Sequence, residues 1–210
     1  MLPYGGLVAA ALLTAGWAIE EIGVPGYHPT RQSISALGSL TTPHAWIWNM
    51  MVSLAGLGIV AFGVAMQRRF RGDRASRIGV GLLYVWGVGF FIDGFVRLDN
   101  ATPVDLGTAF RVGSWHQRAH LIESVIDITA MTAAPFVWRV VFRGVPGSER
   151  VALSSLVAGV TVAAADLWFI AAGDGKSAGI AERVLIVAAC AWLAGISLRL
   201  LAVPDRLARR

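Results

Sequence analysis

Residues 180–201 read IAERVLIVAACAWLAGISLRLL. At 1.5 Å per residue this run makes a helix about 33 Å long, enough to cross a hydrocarbon core. Between Val184 and Leu198 the only ionisable side chain is Cys190, and the charges stand at the ends: Glu182 and Arg183 on one side, Arg199 on the other. Five more runs share this character, at 3–22, 46–66, 78–98, 116–138 and 151–172. Val24-Pro25-Gly26 closes the first and Gly173-Asp174-Gly175 the fifth; Arg68, Arg69 and Arg71 close the second, and glycines 144 and 147 follow the fourth. Pro135 should kink the fourth near one end. The first run lacks a basic leader and ends in Glu20-Glu21, so it reads as a span and not as a cleavable signal.

Composition agrees. The 210 residues are 56% apolar and 15% charged, against about 45–50% and 25% in soluble domains, and the mean hydropathy is +0.63. The sequence predicts an all-α polytopic membrane bundle of six transmembrane helices, one domain over residues 1–210. The net charge of +5 comes from short arginine clusters between apolar runs, so a nucleic-acid partner is excluded. Twelve of the 18 basic residues fall in one set of loops and ends (Arg68 to Arg77, Arg139 to Arg150, Arg199 to Arg210) and six in the other. The excess of positive charge on the cytoplasmic side of membrane proteins places both termini in the cytoplasm and turns segments 24–45, 99–115 and 173–179 outward. A lone cysteine excludes a disulfide framework and a cysteine-based zinc site.

The outward halves of the spans carry almost all the ionisable groups. Glu20 and Glu21 end the first span and Asn49 opens the second. Asp93, Arg97 and Asp99 close the third, and His116, His120, Glu123 and Asp127 open the fourth. Asp166 lies within the fifth, and Glu182 and Arg183 open the sixth. An ionised group inside a bilayer costs about 2.5–3.5 kcal/mol on insertion scales and usually faces a bundle interior or wet cavity. The expectation is one polar pocket open to the outside. The spacing of four, three and four puts His116, His120, Glu123 and Asp127 on a single helical stripe. Such a stripe suits a metal held by His116, His120 and Glu123, an acid/base or proton-relay set, or interhelical hydrogen bonds. His116 is followed by Gln117, so this is not the zinc-protease pattern.

The loop Gly26-Tyr27-His28-Pro29-Thr30-Arg31-Gln32-Ser33-Ile34-Ser35-Ala36-Leu37-Gly38 is too polar to span and is expected to roof the pocket as a short helix, with His28, Arg31, Ser33 and Ser35 as donors. Aromatics at the same level, among them Trp46, Phe91 and Trp115, suit an interfacial belt or, if turned inward, walls for an apolar guest.

Pro25-Gly26-Tyr27-His28-Pro29 followed by Ile34-Ser35-Ala36-Leu37-Gly38, an Asp after the third span (Asp99), a His opening the fourth (His116 or His120) and Gly179-x-x-Glu182-Arg183 opening the sixth carry a resemblance in order and spacing. Over nearly the whole chain the sequence resembles the bacterial six-span membrane family known as domain of unknown function 998. Arg97 stands where that family often has proline. The resemblance implies the six-helix fold and a bacterial plasma membrane; it brings no activity with it, so function has to come from the site.

The leading expectation is an integral-membrane enzyme using acid/base chemistry on a lipid or isoprenoid-like substrate, terpene cyclisation among the reactions. Asp127, Glu123 or Asp166 would move the proton and His116 and His120 would relay it, with Asp93, Asp99 and Glu182 completing the acid set. Arg31, Arg97 and Arg183 would hold an anionic headgroup, with His28, Ser33, Ser35 and Asn49 as further contacts and Trp46, Trp115 and Phe91 as walls. No cofactor is required. The alternatives are a metal- or haem-binding redox subunit, in which His28 or His44 joins the fourth-span histidines, a transporter, and a lipid-binding protein without chemistry. The bilayer is the expected partner in each case, and nothing in the sequence sets an oligomeric state.

Overall fold

Every apolar run folds as one helix in the computed structural model, which describes residues 2–70, 72–100, 110–173 and 175–202. They are α1 (Gly5–Gly23, after a 3-10 turn at Leu2–Tyr4), α2 (Trp46–Arg69), α3 (Arg74–Asp93), α4 (Trp115–Arg143), α5 (Glu149–Ala172) and α6 (Ala178–Ala202). A five-residue 3-10 helix, Ile34–Gly38, sits between α1 and α2, and among the described residues there is no strand. All six long helices have the length and apolarity of membrane spans, and the chain is a multi-pass membrane protein in contact with lipid. The loop stretch 101–109, Asp174 and the arginines at 71, 206, 209 and 210 lie outside the described residues.

The largest departure from the sequence reading is α3. It was expected over 78–98 but runs over 74–93, about one turn earlier, because Asp73 caps it by accepting a hydrogen bond from Ser76 N at 2.7 Å. The other end is set at Gly94, where a Cβ would collide with Ser53 Oγ and Asn49 O of α2. The fourth helix is longer than its expected 116–138: Ser114 caps its start, accepting from Gln117 N at 3.3 Å, and it continues through Pro135 to Arg143. The remaining helices match their expected ranges to within about a turn.

The helices form a ring in chain order, each packed on its neighbours in sequence, and α6 closes it against α1. Lipid tails are as apolar as leucine, so helices in a bilayer associate through close contact, and glycine permits it. A Cβ on Gly56 would lie 2.5 Å from both Gly87 O and Phe91 N of α3; one on Gly58 would lie 2.8 Å from Gly5 O of α1. Gly79 receives the Trp138 indole in the same manner, whereas a Cβ on Gly81 meets open space. Trp86, Trp138, Phe62, Met66, Met131, Leu185 and Leu193 fill the interior, while Leu57, Val125, Val157 and Leu198 are exposed on the lipid-facing side.

The connection 24–45 plugs one end of the ring. Ile34 and Leu37 are buried, and the 3-10 helix packs against α1, α2 and α6. Non-helical backbone at membrane depth must find partners inside the protein. Here Ser33 Oγ accepts from Ala36 N at 3.3 Å, Thr42 Oγ1 donates to Ala36 O at 2.7 Å, and Asn49 Nδ2 donates to Gly38 O at 3.3 Å. Leu40 N donates to Leu98 O at 2.9 Å, tying the plug to the segment after α3.

Gly56→Leu should lower the thermal midpoint of the detergent-solubilised protein by about 4–8 °C, equivalent to about 2 kcal/mol at this chain length. Gly81→Leu should leave it within about 1 °C; equal midpoints for the two variants would contradict this account of the α2–α3 contact.

Candidate functional site

The acidic stripe of α4 meets α3 at Gly89 and Asp93, residues one turn apart and therefore on one face. A Cβ on Gly89 would lie 2.5 Å from Asp127 Cβ and 2.9 Å from Glu123 Oε1, so the missing side chain is what lets the carboxyls of α4 press against α3. One turn on, Asp93 Oδ1 lies 2.7 Å from His120 Nδ1. One ligand atom each from Asp93, His120 and Glu123 lie within 4.8 Å of one another. His120 is 5% exposed and Asp127 3%, while Asp93 and Glu123 are half-buried.

These groups are crowded together. Both Glu123 oxygens and Asp127 Oδ1 are buried, and the two carboxyls lie within reach of each other. His120 Nδ1 and Asp93 Oδ1 pair with each other at 2.7 Å. The other ring nitrogen, Nε2, has Ser124 Oγ at 3.5 Å. Glu182 of α6 senses the charges of His120 and Asp93, which places a residue from a third helix beside the cluster.

Glu182 and Arg183 also hold the plug. Glu182 accepts from Ile34 N and, at 3.5 Å, from Ser35 Oγ. Arg183 donates to Pro29 O (2.7 Å), Gln32 O (3.2 Å) and Gly179 O (2.9 Å), to Glu21 Oε2 (2.8 Å) and to Tyr27 Oη (2.8 Å). Its guanidinium also stacks over Trp17 and Tyr27, at 5.1 and 5.6 Å from the ring centroids. Tyr27 in turn donates to Ser33 O at 2.8 Å, and burial drives its phenol above the usual range in spite of the nearby cation. Gly179 has no room for a side chain beneath the carbonyls of Pro29 and Gln32, and its N–H donates to Thr30 O at 3.1 Å. Of the three arginines expected to hold an anionic headgroup, Arg183 acts here as a fastener, with both terminal nitrogens bonded within the protein.

Several expected site residues stand apart from the cluster. His116 stacks on Trp115, centroids 3.6 Å apart, and its charge acts on Asp99. The side chains that come together on this face are Asp93, His120 and Glu123, and His116 is not among them. Asp99 accepts from Ser114 N (2.7 Å) and Ser114 Oγ (2.5 Å), and its own N–H donates to Gln117 Oε1 (2.7 Å); the serine hydrogen bonds hold its carboxyl below the usual range. Asp99 thus fastens the start of α4. Asp166 is half-buried on α5 and makes no hydrogen bond or ion pair with the cluster among the described residues, which separates it from Asp127. Asn49 and Ser33 serve the plug backbone. His28 and Arg31 are exposed and Arg97 is half-buried. Neither His28 nor His44 belongs to the three-residue group around His120, and the charge of His44 acts on Glu20. Trp46 (61% exposed), Trp115 (64%) and Phe91 (37%) face outward, as an interfacial belt does, and do not wall the cluster. A groove of about 620 Å³ lies at the opposite end of the bundle, between α2 and α3, with Gln67, Arg68, Arg77 and Tyr84 in its lining.

The model of a family described as "Protein of unknown function (DUF998)" matches residues 7–199. The chain belongs to that family. No curated protein and no solved structure matches it. The match covers both the plug and the α3–α4 cluster, so the family segment contains the whole candidate site. Gly89 and Tyr27 are the members of this architecture that the sequence reading passed over as site-forming residues. Gly89 had a signal, since it sits one turn before an intramembrane Asp.

Arg183→Leu should free the plug, and trypsin should then cut after the exposed Arg31 at least about tenfold faster than in the parent, the loss of about 1.4 kcal/mol of local closure. An unchanged cleavage rate would refute the fastener. The depressed Asp99 carboxyl stabilises the fold above about pH 4, its unfolded value, and that contribution disappears as pH falls through the lower folded value. The thermal midpoint of the parent should therefore drop more steeply below pH 4 than that of Asp99→Asn; parallel curves would remove Asp99 from the start of α4.

Proposed function

We propose that this protein is an integral-membrane enzyme of a bacterial plasma membrane that acts by acid/base chemistry on a lipid or isoprenoid-like substrate at the α3–α4 cluster. The observation that carries the reading is the convergence of Asp93, His120, Glu123 and Asp127 inside the spans, buried and crowded together. Such groupings are expensive within a bilayer and recur where chemistry or ion handling requires them. In this reading Asp127 moves the proton, being deepest along α4 and buried, and His120 stands beside it under the influence of Asp93.

The surroundings of the cluster support a substrate with an apolar body. Asp93 and Glu123 are the half-exposed members of the cluster, and their sequence neighbours Phe91, Ile92, Ile122 and Ile126 are exposed apolar residues. A molecule with an apolar body approaches through such a surface from within the bilayer, bringing one polar group to the carboxyls. The arginine excess at the opposite end supports placing this end at the outer face. The fastened plug supports a rigid floor for the reaction, since a catalytic group displaced by about 1 Å can lose about a hundredfold in rate.

Purified protein should consume at least one species when incubated with a bacterial polar-lipid extract and a panel of isoprenoid diphosphates, read by mass spectrometry. Asp127→Asn should abolish that turnover while eluting as the parent does from a sizing column. Turnover equal to the parent's would remove Asp127 from the mechanism, and no consumption of any species by the parent would overturn the enzyme reading.

A further inference from the structure

We propose that Asp93, His120 and Glu123 ligate a divalent first-row transition-metal ion, with Zn²⁺ the first candidate. The inference rests on reading the α3–α4 cluster as the working centre, and it names what that centre holds.

Charge balance is the first argument. Three carboxyls crowd one imidazole, and Arg183, the cation held near Glu182, is committed to Glu21, Tyr27 and the plug carbonyls. A buried carboxyl is either protonated or paired with a positive charge, and a dication can supply that charge to several carboxylates at once. Geometry is the second. Around an ion with bonds of about 2.0–2.2 Å, neighbouring ligand atoms sit about 3.3–3.6 Å apart. The three donors already lie within 4.8 Å of one another, so less than about 1.5 Å of side-chain movement closes a shell.

The close approach of buried atoms is the third argument, and it separates this cluster from an ordinary acidic patch. His120, 5% exposed, brings Nδ1 to 2.7 Å from Asp93 Oδ1, so a proton or a cation has to lie between them. Both oxygens of Glu123 are buried, and the polar group against its carboxyl is the Asp127 carboxyl. A ring lone pair and carboxylate oxygens turned toward one another repel unless a proton or a cation lies among them. His120 Nε2, meanwhile, has Ser124 Oγ at 3.5 Å, the kind of outer partner that fixes the tautomer of a metal-ligating histidine and leaves the other nitrogen for the ion. His120 and Glu123 stand three apart on α4, and Asp93 faces them from α3, so two rigid helices define the site. One imidazole with two carboxylates and no thiolate suits Zn²⁺ or Mn²⁺ over Cu⁺. Asp127 remains outside the ligand set, beside Glu123, where it can accept a proton from a metal-bound water.

The test uses the full chain in detergent, stripped with a chelator, equilibrated with Zn²⁺ or Mn²⁺, freed of excess ion on a sizing column and read by elemental mass spectrometry. The parent should retain about one ion per chain, and His120→Gln and Glu123→Gln should each weaken retention at least tenfold in competition with a chromophoric chelator. Asp127→Asn should keep the ion. A parent that retains less than about a tenth of an ion, or ligand variants that retain as much as the parent, would overturn the proposal. Should a variant fail to fold, Co²⁺ added to the parent alone decides: visible d–d absorption bands support the site, and their absence overturns it. An ion bound without lipid turnover keeps the site and removes the enzyme reading. Turnover that Asp127→Asn abolishes in a parent without an ion does the reverse.

Discussion

A carboxyl group inside a bilayer must be neutralised, and the α3–α4 interface of this protein places three of them around one imidazole. Everything distinctive about the fold bears on that demand. Gly89 gives up its side chain so that Glu123 and Asp127 can reach α3. Asp93, the last residue of α3, stands 2.7 Å from His120. The interior toward the other end is filled by Trp86, Trp138, Phe62 and Met66.

The second organising element is the fastening of segment 26–38. Its backbone lies where lipid or headgroups would otherwise sit, so its carbonyls need donors from the protein itself. One arginine supplies most of them, with a tyrosine and two glutamates arranged about it. Glu182 belongs to both systems: it receives the plug backbone and senses the charges of His120 and Asp93. Displacement of the plug would therefore be felt electrostatically at the cluster.

How far the sequence foretold this depends on which constraint was local. Six spans were legible because a lipid environment demands unbroken apolar runs, and the His120, Glu123 and Asp127 stripe because helical spacing fixes a shared face. What each face would meet was not legible. Asp166 has the same intramembrane signature as Asp127, yet it is not among the side chains that gather between α3 and α4, and nothing in α5 itself foretells that. Asp93 and Asp99 looked interchangeable along the chain; one joined His120 and the other Ser114. Arg183 read as a ligand-binding cation because its partners, the carbonyls of Pro29 and Gln32, lie some 150 residues away in the chain. Trp46 and Trp115 carried no sign of whether they faced a guest or the lipid, and they face the lipid.

The closure of the ring by α6 has a consequence for biogenesis. Gly179, Glu182 and Arg183 are translated after the five preceding helices, while the segment they bind, 26–38, follows the first. Until the last helix has entered the membrane, the early loop has no anchor and Glu182 has not yet arrived beside His120. Maturation of the centre is thereby tied to completion of synthesis, and a nascent chain stalled before its final helix holds its acids in an unlocked scaffold.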